Sequence, residues 1–159
     1  MVSNFNLCIE RADNELYLAR SIQLLSDNSK LKKEYFNLED SMTFYSAVIA
    51  HAYYAIFYSA KAYLISKGIN IPEQGQHQYV YYKFKKIIKT GELDKKLLNI
   101  YEDAKIKADS LLLIMEDEKE KRNTFTYKTL PQANKGPAEK SIENAQFFIV
   151  HIKAILAEK

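Results

Sequence analysis

The sequence has few residues that interrupt regular structure, and it has almost no cysteine. Its 159 residues include four glycines, three prolines and one cysteine, Cys8. A single cysteine excludes an intrachain disulfide and any multi-cysteine metal site, which fits a reducing cytosol. Scarce glycine and proline, with long stretches rich in Lys, Glu, Leu, Ala and Ile, predict an all-α fold. The length suits one domain, so we expect residues 1–159 to form a single antiparallel helical bundle.

Most sequence signatures of enzymes are also missing. There is no phosphate-binding glycine loop, no dinucleotide fingerprint and no GxSxG motif. The three histidines, His51, His77 and His151, lie on different segments without metal-ligand spacing, and paired carboxylates occur only in solvated charge runs. We therefore expect no metal site and no cofactor. The N-terminus has no basic segment followed by an apolar run, so a cytoplasmic location is predicted.

Residues 41–60 form the least charged part of the chain. They read SMTFYSAVIAHAYYAIFYSA and contain no Asp, Glu, Lys or Arg. Apolar residues fall on every side of a helical wheel, which predicts a central helix buried on most faces. In lipid, each hydroxyl and imidazole would need an internal partner, so we do not expect a membrane span. His51 in this helix is expected to be a hydrogen-bonded core residue.

Apolar periodicity predicts about five helices, four long and one short. Their predicted positions are residues 4–25, from about 40 to 66, 79–89, from about 94 to 122, and from 137 onwards. Glu15 on the first helix is expected to face water. Residues 26–37 are predicted to be a linker.

Polar and glycine residues mark the predicted helix ends. Asn37 or Asp40 is expected to cap the second helix, and Gly68 to terminate it. Asp94 is expected to cap the fourth helix.

The short helix carries a cluster of lysines, of which Lys83, Lys86 and Lys89 are candidate phosphate ligands. They interleave with tyrosines in the run YVYYKFKKIIK, a pattern that suits nucleic acid binding. The alternative is a solvated helix face whose aromatic residues belong to the core, because lysines ordinarily lie at the surface.

A second candidate site follows the fourth helix at Arg122-Asn123-Thr124-Phe125-Thr126-Tyr127. Arg122 can donate two hydrogen bonds to a phosphate, and Asn123 and Tyr127 offer more. The alternative is a helix end with an Asn turn and a tyrosine packed on the bundle.

At this point the chain resembles the HEPN family, named for nucleotide binding in higher eukaryotes and prokaryotes. The segment HAYYAIFYSAKAYL, residues 51–64, is similar to the second-helix pattern of the family. The segments SKGI (66–69) and KTGEL (89–93) resemble the loops around its short helix. Arg122-Asn123 opens a stretch similar to the family's Arg-x-His motif. The resemblance implies a HEPN-like bundle.

In catalytic HEPN ribonucleases, the Arg and His of two protomers meet at a dimer interface and cleave RNA without a metal. Arg122 and Asn123 match the Arg and polar positions, but Tyr127 stands where the His would be. A phenol with a pKa of about 10 cannot replace imidazole as a base at neutral pH. The resemblance therefore implies a non-catalytic or weakly active homodimer that binds RNA, nucleotide phosphate or a nucleotidyltransferase partner, as in toxin–antitoxin pairs. It also implies that Tyr127 is a candidate modification target.

Two alternatives remain open at the level of sequence. One is a metal-independent endoribonuclease that uses Arg122 with a non-standard base, Tyr127 or His51. The other is a purely structural helical adaptor.

Overall fold

The computed structural model describes residues 4–120 and 135–158, with side chains described for 4–110 and 135–158. In these ranges the chain forms six helices and no strand. The helices are α1 (Asn4–Asp27), α2 (Ser29–Phe36), α3 (Tyr45–Ser66), α4 (Gln76–Lys89), α5 (Lys95–Glu120) and α6 (Lys135–Ala157). The predicted all-α bundle is therefore confirmed, with one helix more than the periodicity indicated.

The uncharged helix α3 is the centre of the bundle. It packs against α1, α6, α5 and α4, and 13 of its 22 residues are buried. Ala52 and Ala55 have no exposed surface, and neither do Ala12 and Ala19 on α1. These small side chains let helix backbones approach closely. His51, which was predicted to be a core residue, is only partly buried.

The predicted linker at residues 26–37 is wrong, because most of it forms α2. The side chain of Asn28 caps this helix by accepting the backbone N–H of Leu31 at 2.9 Å. The side chain of Lys32 is buried, and its Nζ donates to the carbonyls of Asp40 (2.6 Å) and Met42 (3.2 Å). The buried face of α2 therefore includes a lysine whose charge is stabilised by loop carbonyls. Apolar periodicity does not detect such a face.

The predicted caps of the central helix at Asn37 and Asp40 are also wrong. Asn37 has a φ of +51° and terminates α2. Helix α3 begins later, at Tyr45, and its N-cap residue Phe44 makes no side-chain capping bond. Instead, the Phe44 N–H donates to Oγ of Ser26 at 2.8 Å, so a residue on α1 serves the start of α3.

Two other predicted helix ends are confirmed. Gly68 adopts a φ of +78° after α3, and its N–H donates to the carbonyl of Ile65 at 2.9 Å. Oδ1 of Asp94 accepts the N–H of Lys96 at 2.9 Å, at the start of α5. Helix α4 starts three residues earlier than predicted, after Gly75 with a φ of +66°. Among the described helices, none has a long enough apolar stretch to cross a membrane.

Candidate functional site

The predicted site at Arg122, Asn123 and Tyr127 lies outside the described residues. Helix α5, which leads to it, is described to Glu120. The geometry of this motif therefore stays a prediction.

The predicted lysine cluster lies on α4, and we call Lys83, Lys86 and Lys89 with Tyr79 and Tyr82 its lysine face. Nζ of Lys83 lies 5.5 Å from the ring centroid of Tyr79. Nζ of Lys86 lies 4.7 Å from that of Tyr82. Among the described residues, none of these three lysines has a carboxylate within ion-pair distance. Each cation therefore rests on an aromatic face or in solvent, which leaves it available to an anion.

Lys85, on the same helix, has a different role. Its Nζ lies 3.2 Å from Oε1 of Glu102 on α5, and the same carboxylate oxygen accepts the hydroxyl of Tyr81 at 2.9 Å. These hydrogen bonds lower the pKa of Glu102. Lys85 thus joins α4 to α5 and is not part of the lysine face.

The aromatic residues of α4 divide between core and surface. Phe84 is fully buried, whereas Tyr82 is 53% exposed. The hydrogen bond and charge of Lys86 lower the pKa of Tyr82. The interpretation of the aromatics as core therefore holds for Phe84 and not for Tyr82.

A histidine in the first turn of α4 packs on the central helix. The imidazole of His77 stacks on Phe57 with ring centroids 4.0 Å apart, and its Nδ1 lies 3.0 Å from the hydroxyl of Tyr53. Although the residue as a whole is exposed, partial desolvation of its imidazole against α3 and the nearby charge of Lys61 lower the pKa of His77. Burial raises the pKa of Tyr53 to about 12. This cluster positions α4, and with it the lysine face.

A third group of polar residues, which the sequence did not predict, joins α1 to α3. Glu15 was expected to face water, but its side chain is only 6% exposed. Its Oε1 accepts Nε of Arg11 at 2.9 Å, and its Oε2 lies 2.6 Å from Nδ1 of His51. His51 is hydrogen-bonded, as expected, but its side chain remains 28% exposed. Glu15 and His51 are 36 residues apart on different helices, so no local pattern links them.

Tyr54 on α3 lies between His51 and His77. Its ring centroid is 6.3 Å from that of His51 and 5.7 Å from that of His77. Tyr54 is 38% exposed. The guanidinium of Arg11 lies 5.5 Å from the ring centroid of Tyr58, one turn further along α3. Two tyrosines, two imidazoles and the guanidinium of Arg11 therefore lie along this side of the central helix.

A cavity of about 370 Å³ opens near the C-terminal end of α3. It is lined by Asn4, Cys8, Lys61, Ile65, Gly68, Ile69, Asn70 and Ile71. Burial raises the pKa of the Cys8 thiol. The thiol is therefore a small neutral side chain.

Comparison with protein families gives one informative result. The model of the HEPN domain matches residues 28–155. This range runs from the residue before α2 to the last turns of α6 and leaves α1 outside. Neither the curated proteins nor the solved structures gave a match. Because the match covers most of the chain and the bundle is all-helical, this protein belongs to the HEPN family.

Proposed function

We propose that this HEPN-family protein is a non-catalytic or weakly active module that binds RNA or nucleotide phosphate. It acts as a homodimer, beside a nucleotidyltransferase partner in a toxin–antitoxin pair. The observation that carries the RNA-binding part is the lysine face of α4. Its three lysines have no carboxylate partner in the described part of the chain, and two of them lie over tyrosine rings.

The chemistry of this face suits a single-stranded backbone. Lysines neutralise phosphates and release counterions. Exposed aromatic rings stack on bases with little sequence preference. Tyr82 offers a ring that is 53% exposed, next to the cation of Lys86. Arg122 and Asn123 contribute further phosphate donors in this proposal.

The missing motif histidine supports a non-catalytic or weakly active protein. Tyr127 stands at its position, and the sequence has no histidine between residues 78 and 150. A phenol remains protonated at neutral pH and does not accept the proton of a ribose hydroxyl.

Binding to a fluorescent single-stranded RNA, measured by anisotropy at several salt concentrations, tests the lysine face. The variant K83Q/K86Q/K89Q should bind more weakly at every salt concentration. The slope of log K against log salt should fall by about 0.7 for each lysine that contacts a phosphate. The control is K30Q/K33Q/K140Q, which removes the same charge from other exposed positions and should retain the slope. Equal slopes in all three proteins would exclude the lysine face. Failure of the native protein to bind RNA at any salt concentration would favour a structural adaptor.

Incubation with total RNA in the presence of a chelator tests the catalytic status. We expect no more than slow cleavage, and weaker RNA binding by Arg122→Ala. Fast cleavage that survives the chelator and disappears in Arg122→Ala would replace this proposal with a ribonuclease.

Sedimentation equilibrium tests the homodimer, with a dimer expected at micromolar concentration. The partner is tested by co-purification with the product of an adjacent nucleotidyltransferase-like reading frame. If the protein is a monomer and binds RNA with full affinity, RNA binding does not require a homodimer.

A further inference from the structure

We propose that two copies of this chain pair through the outer side of α1, with their α1 helices antiparallel. The inference rests on the homodimer of the proposed function and states which surface forms it. Helix α1 precedes residues 28–155, which match the HEPN domain. The surface is also separate from the lysine face of α4.

Helix α1 is apolar on two sides. Its inner side contributes Ala12, Leu16 and Ala19 to the core. Its outer side exposes four large apolar or aromatic residues, which are Leu7 (53%), Tyr17 (65%), Leu18 (44%) and Leu24 (58%). Among the described side chains, α3, α4, α5 and α6 expose one such residue each. A single exposed leucine is normal, but four large side chains on one helix indicate a second side that is buried in the assembly.

Part of this outer side has the spacing of a helix–helix contact. We call it the outer seam, and it consists of Leu7, Arg11, Asn14, Leu18, Ser21 and Leu25. Its members follow one another at alternating steps of four and three residues, as in the seam of a coiled coil. Leucines in such a seam supply apolar contact, and the polar residues between them fix the register of the pairing.

The outer seam carries almost no net charge, which favours a second copy as its partner. Arg11 is the one charged residue of the seam, and its Nε and Nη2 lie 2.9 and 2.8 Å from Oε1 of Glu15. A two-fold interface places a surface against itself, so a strongly charged surface repels its own copy. A surface whose one cation is already paired does not.

The position of Arg11 decides the direction of the pairing. Parallel helices would place Arg11 against Arg11 of the second copy. Antiparallel helices, with the two-fold axis between Arg11 and Asn14, place Arg11 against Asn14 and Leu7 against Leu18. Nη1 of Arg11 has no partner among the described residues, and in this arrangement it can donate to the amide oxygen of Asn14. Residues 4–21 of the two copies then overlap over about 27 Å.

Two tyrosines of α3 border the outer seam. The guanidinium of Arg11 lies 5.5 Å from the ring centroid of Tyr58. Tyr54, about one turn away on the same helix, is 38% exposed. Tyrosine suits an interface because its ring packs while its hydroxyl reaches solvent. Helix α1 of the second copy therefore has aromatic rings to pack on beside the leucines.

Cysteine crosslinking tests the antiparallel pairing, in a Cys8→Ala background that lacks the native thiol. The variant Leu7→Cys/Leu18→Cys should form a covalent dimer on mild oxidation, because each new thiol faces the other one in the second copy. The two positions lie about 16 Å apart along one helix, too far for a disulfide within one copy. Identical positions of the two copies are equally far apart, so Leu7→Cys and Leu18→Cys alone should stay non-covalent. The matched control is Tyr17→Cys/Leu24→Cys, on α1 but outside the outer seam, which should also stay non-covalent.

Sedimentation equilibrium measures what the leucines contribute. Leu18→Lys places a charge against Leu7 of the second copy and should weaken the dimer by about tenfold or more. Because Leu18 is 44% exposed in one copy, the helical circular dichroism of the variant should be native. Val150→Lys, at a 54% exposed position on α6, should dimerise as the native protein does.

The possible results separate this inference from the proposed function. A native dimer that persists in Leu18→Lys, or a double-cysteine variant without a covalent dimer, would overturn the outer seam and leave the proposed homodimer. Covalent dimers of the single-cysteine variants would indicate parallel pairing and would overturn it as well. A native protein that stays monomeric at every concentration would overturn both, and would leave this side of α1 to a partner of different sequence.

Discussion

The hydroxyl of Tyr53 lies 3.0 Å from Nδ1 of His77, and this contact joins the middle of α3 to the first turn of α4. Partial desolvation of its imidazole lowers the pKa of His77, and burial raises that of Tyr53 to about 12. Both groups therefore favour their neutral forms in the folded protein. The free energy of unfolding should consequently depend on pH in both the acid and the alkaline range.

At the acid end, the dependence comes from His77. In the unfolded chain a histidine binds its proton at a pKa of about 6.5. Because the folded pKa is lower, the unfolded state takes up protons first as the pH falls. The free energy of unfolding should be highest above this pH and decrease as the pH falls through the folded pKa. Urea unfolding between pH 8 and pH 5 should show a smaller decrease in His77→Gln than in the native protein. The control His151→Gln retains His77 and should behave as the native protein does. If the free energy of unfolding falls as much in His77→Gln as in the native protein, His77 is not the group responsible.

At the alkaline end, the dependence comes from Tyr53. An unfolded tyrosine ionises at a pKa of about 10, whereas the folded value is about 12. The contribution of Tyr53 is therefore present below the first value and lost as the pH rises towards the second. Tyr53→Phe lacks this ionisation, so its free energy of unfolding should fall less than that of the native protein as the pH rises from about 10 to about 12. Absorbance at alkaline pH measures the unfolding. Tyr17→Phe, at an exposed position on α1, should leave the alkaline transition unchanged.

The core should be most sensitive at Phe148. This side chain has no exposed surface, and its ring lies 5.5 Å from that of Phe84 and 6.0 Å from that of Tyr101. Phe148→Ala should lower the free energy of unfolding by about 3–5 kcal/mol, because it leaves a cavity between α4, α5 and α6. Val150→Ala, at an exposed site on the same helix, should cost no more than about 0.5 kcal/mol. Comparable losses from both variants in urea unfolding would mean that α6 does not pack as described.

The start of the central helix should depend on Ser26. Its Oγ accepts the N–H of Phe44 at 2.8 Å and is the one side-chain partner of that group in the described part of the chain. Ser26→Ala should lower the free energy of unfolding by about 1 kcal/mol, because it leaves the Phe44 N–H without its acceptor. Ser21→Ala is the control, because the Ser21 hydroxyl only donates to the carbonyl of Tyr17 within α1. If both variants unfold alike, the contact with Phe44 contributes nothing.

Features that depend on near neighbours in the chain could be predicted from the sequence. The uncharged run of residues 41–60 predicted a buried central helix, because a helix with apolar residues on every side buries most of its faces. Gly68 and Asp94 were identified as helix ends because each acts on backbone groups within a few residues. Helix α2 was not predicted, because its buried face contains Lys32. The Nζ of Lys32 donates to the carbonyls of Asp40 and Met42, which lie in the loop after the helix.

The amino-acid sequence by itself determined that this chain is an all-α bundle of the HEPN family with a tyrosine-rich central helix. Only the tertiary structure decided that Glu15 is buried beneath Arg11 and His51, and that Lys85 is paired with Glu102. It also showed that no carboxylate in the described part of the chain lies within ion-pair distance of Lys83, Lys86 or Lys89. The physical reason is distance along the chain. Helix formation and termination follow from residues within one or two turns, whereas the burial and pairing of a charge depend on which helix packs against it.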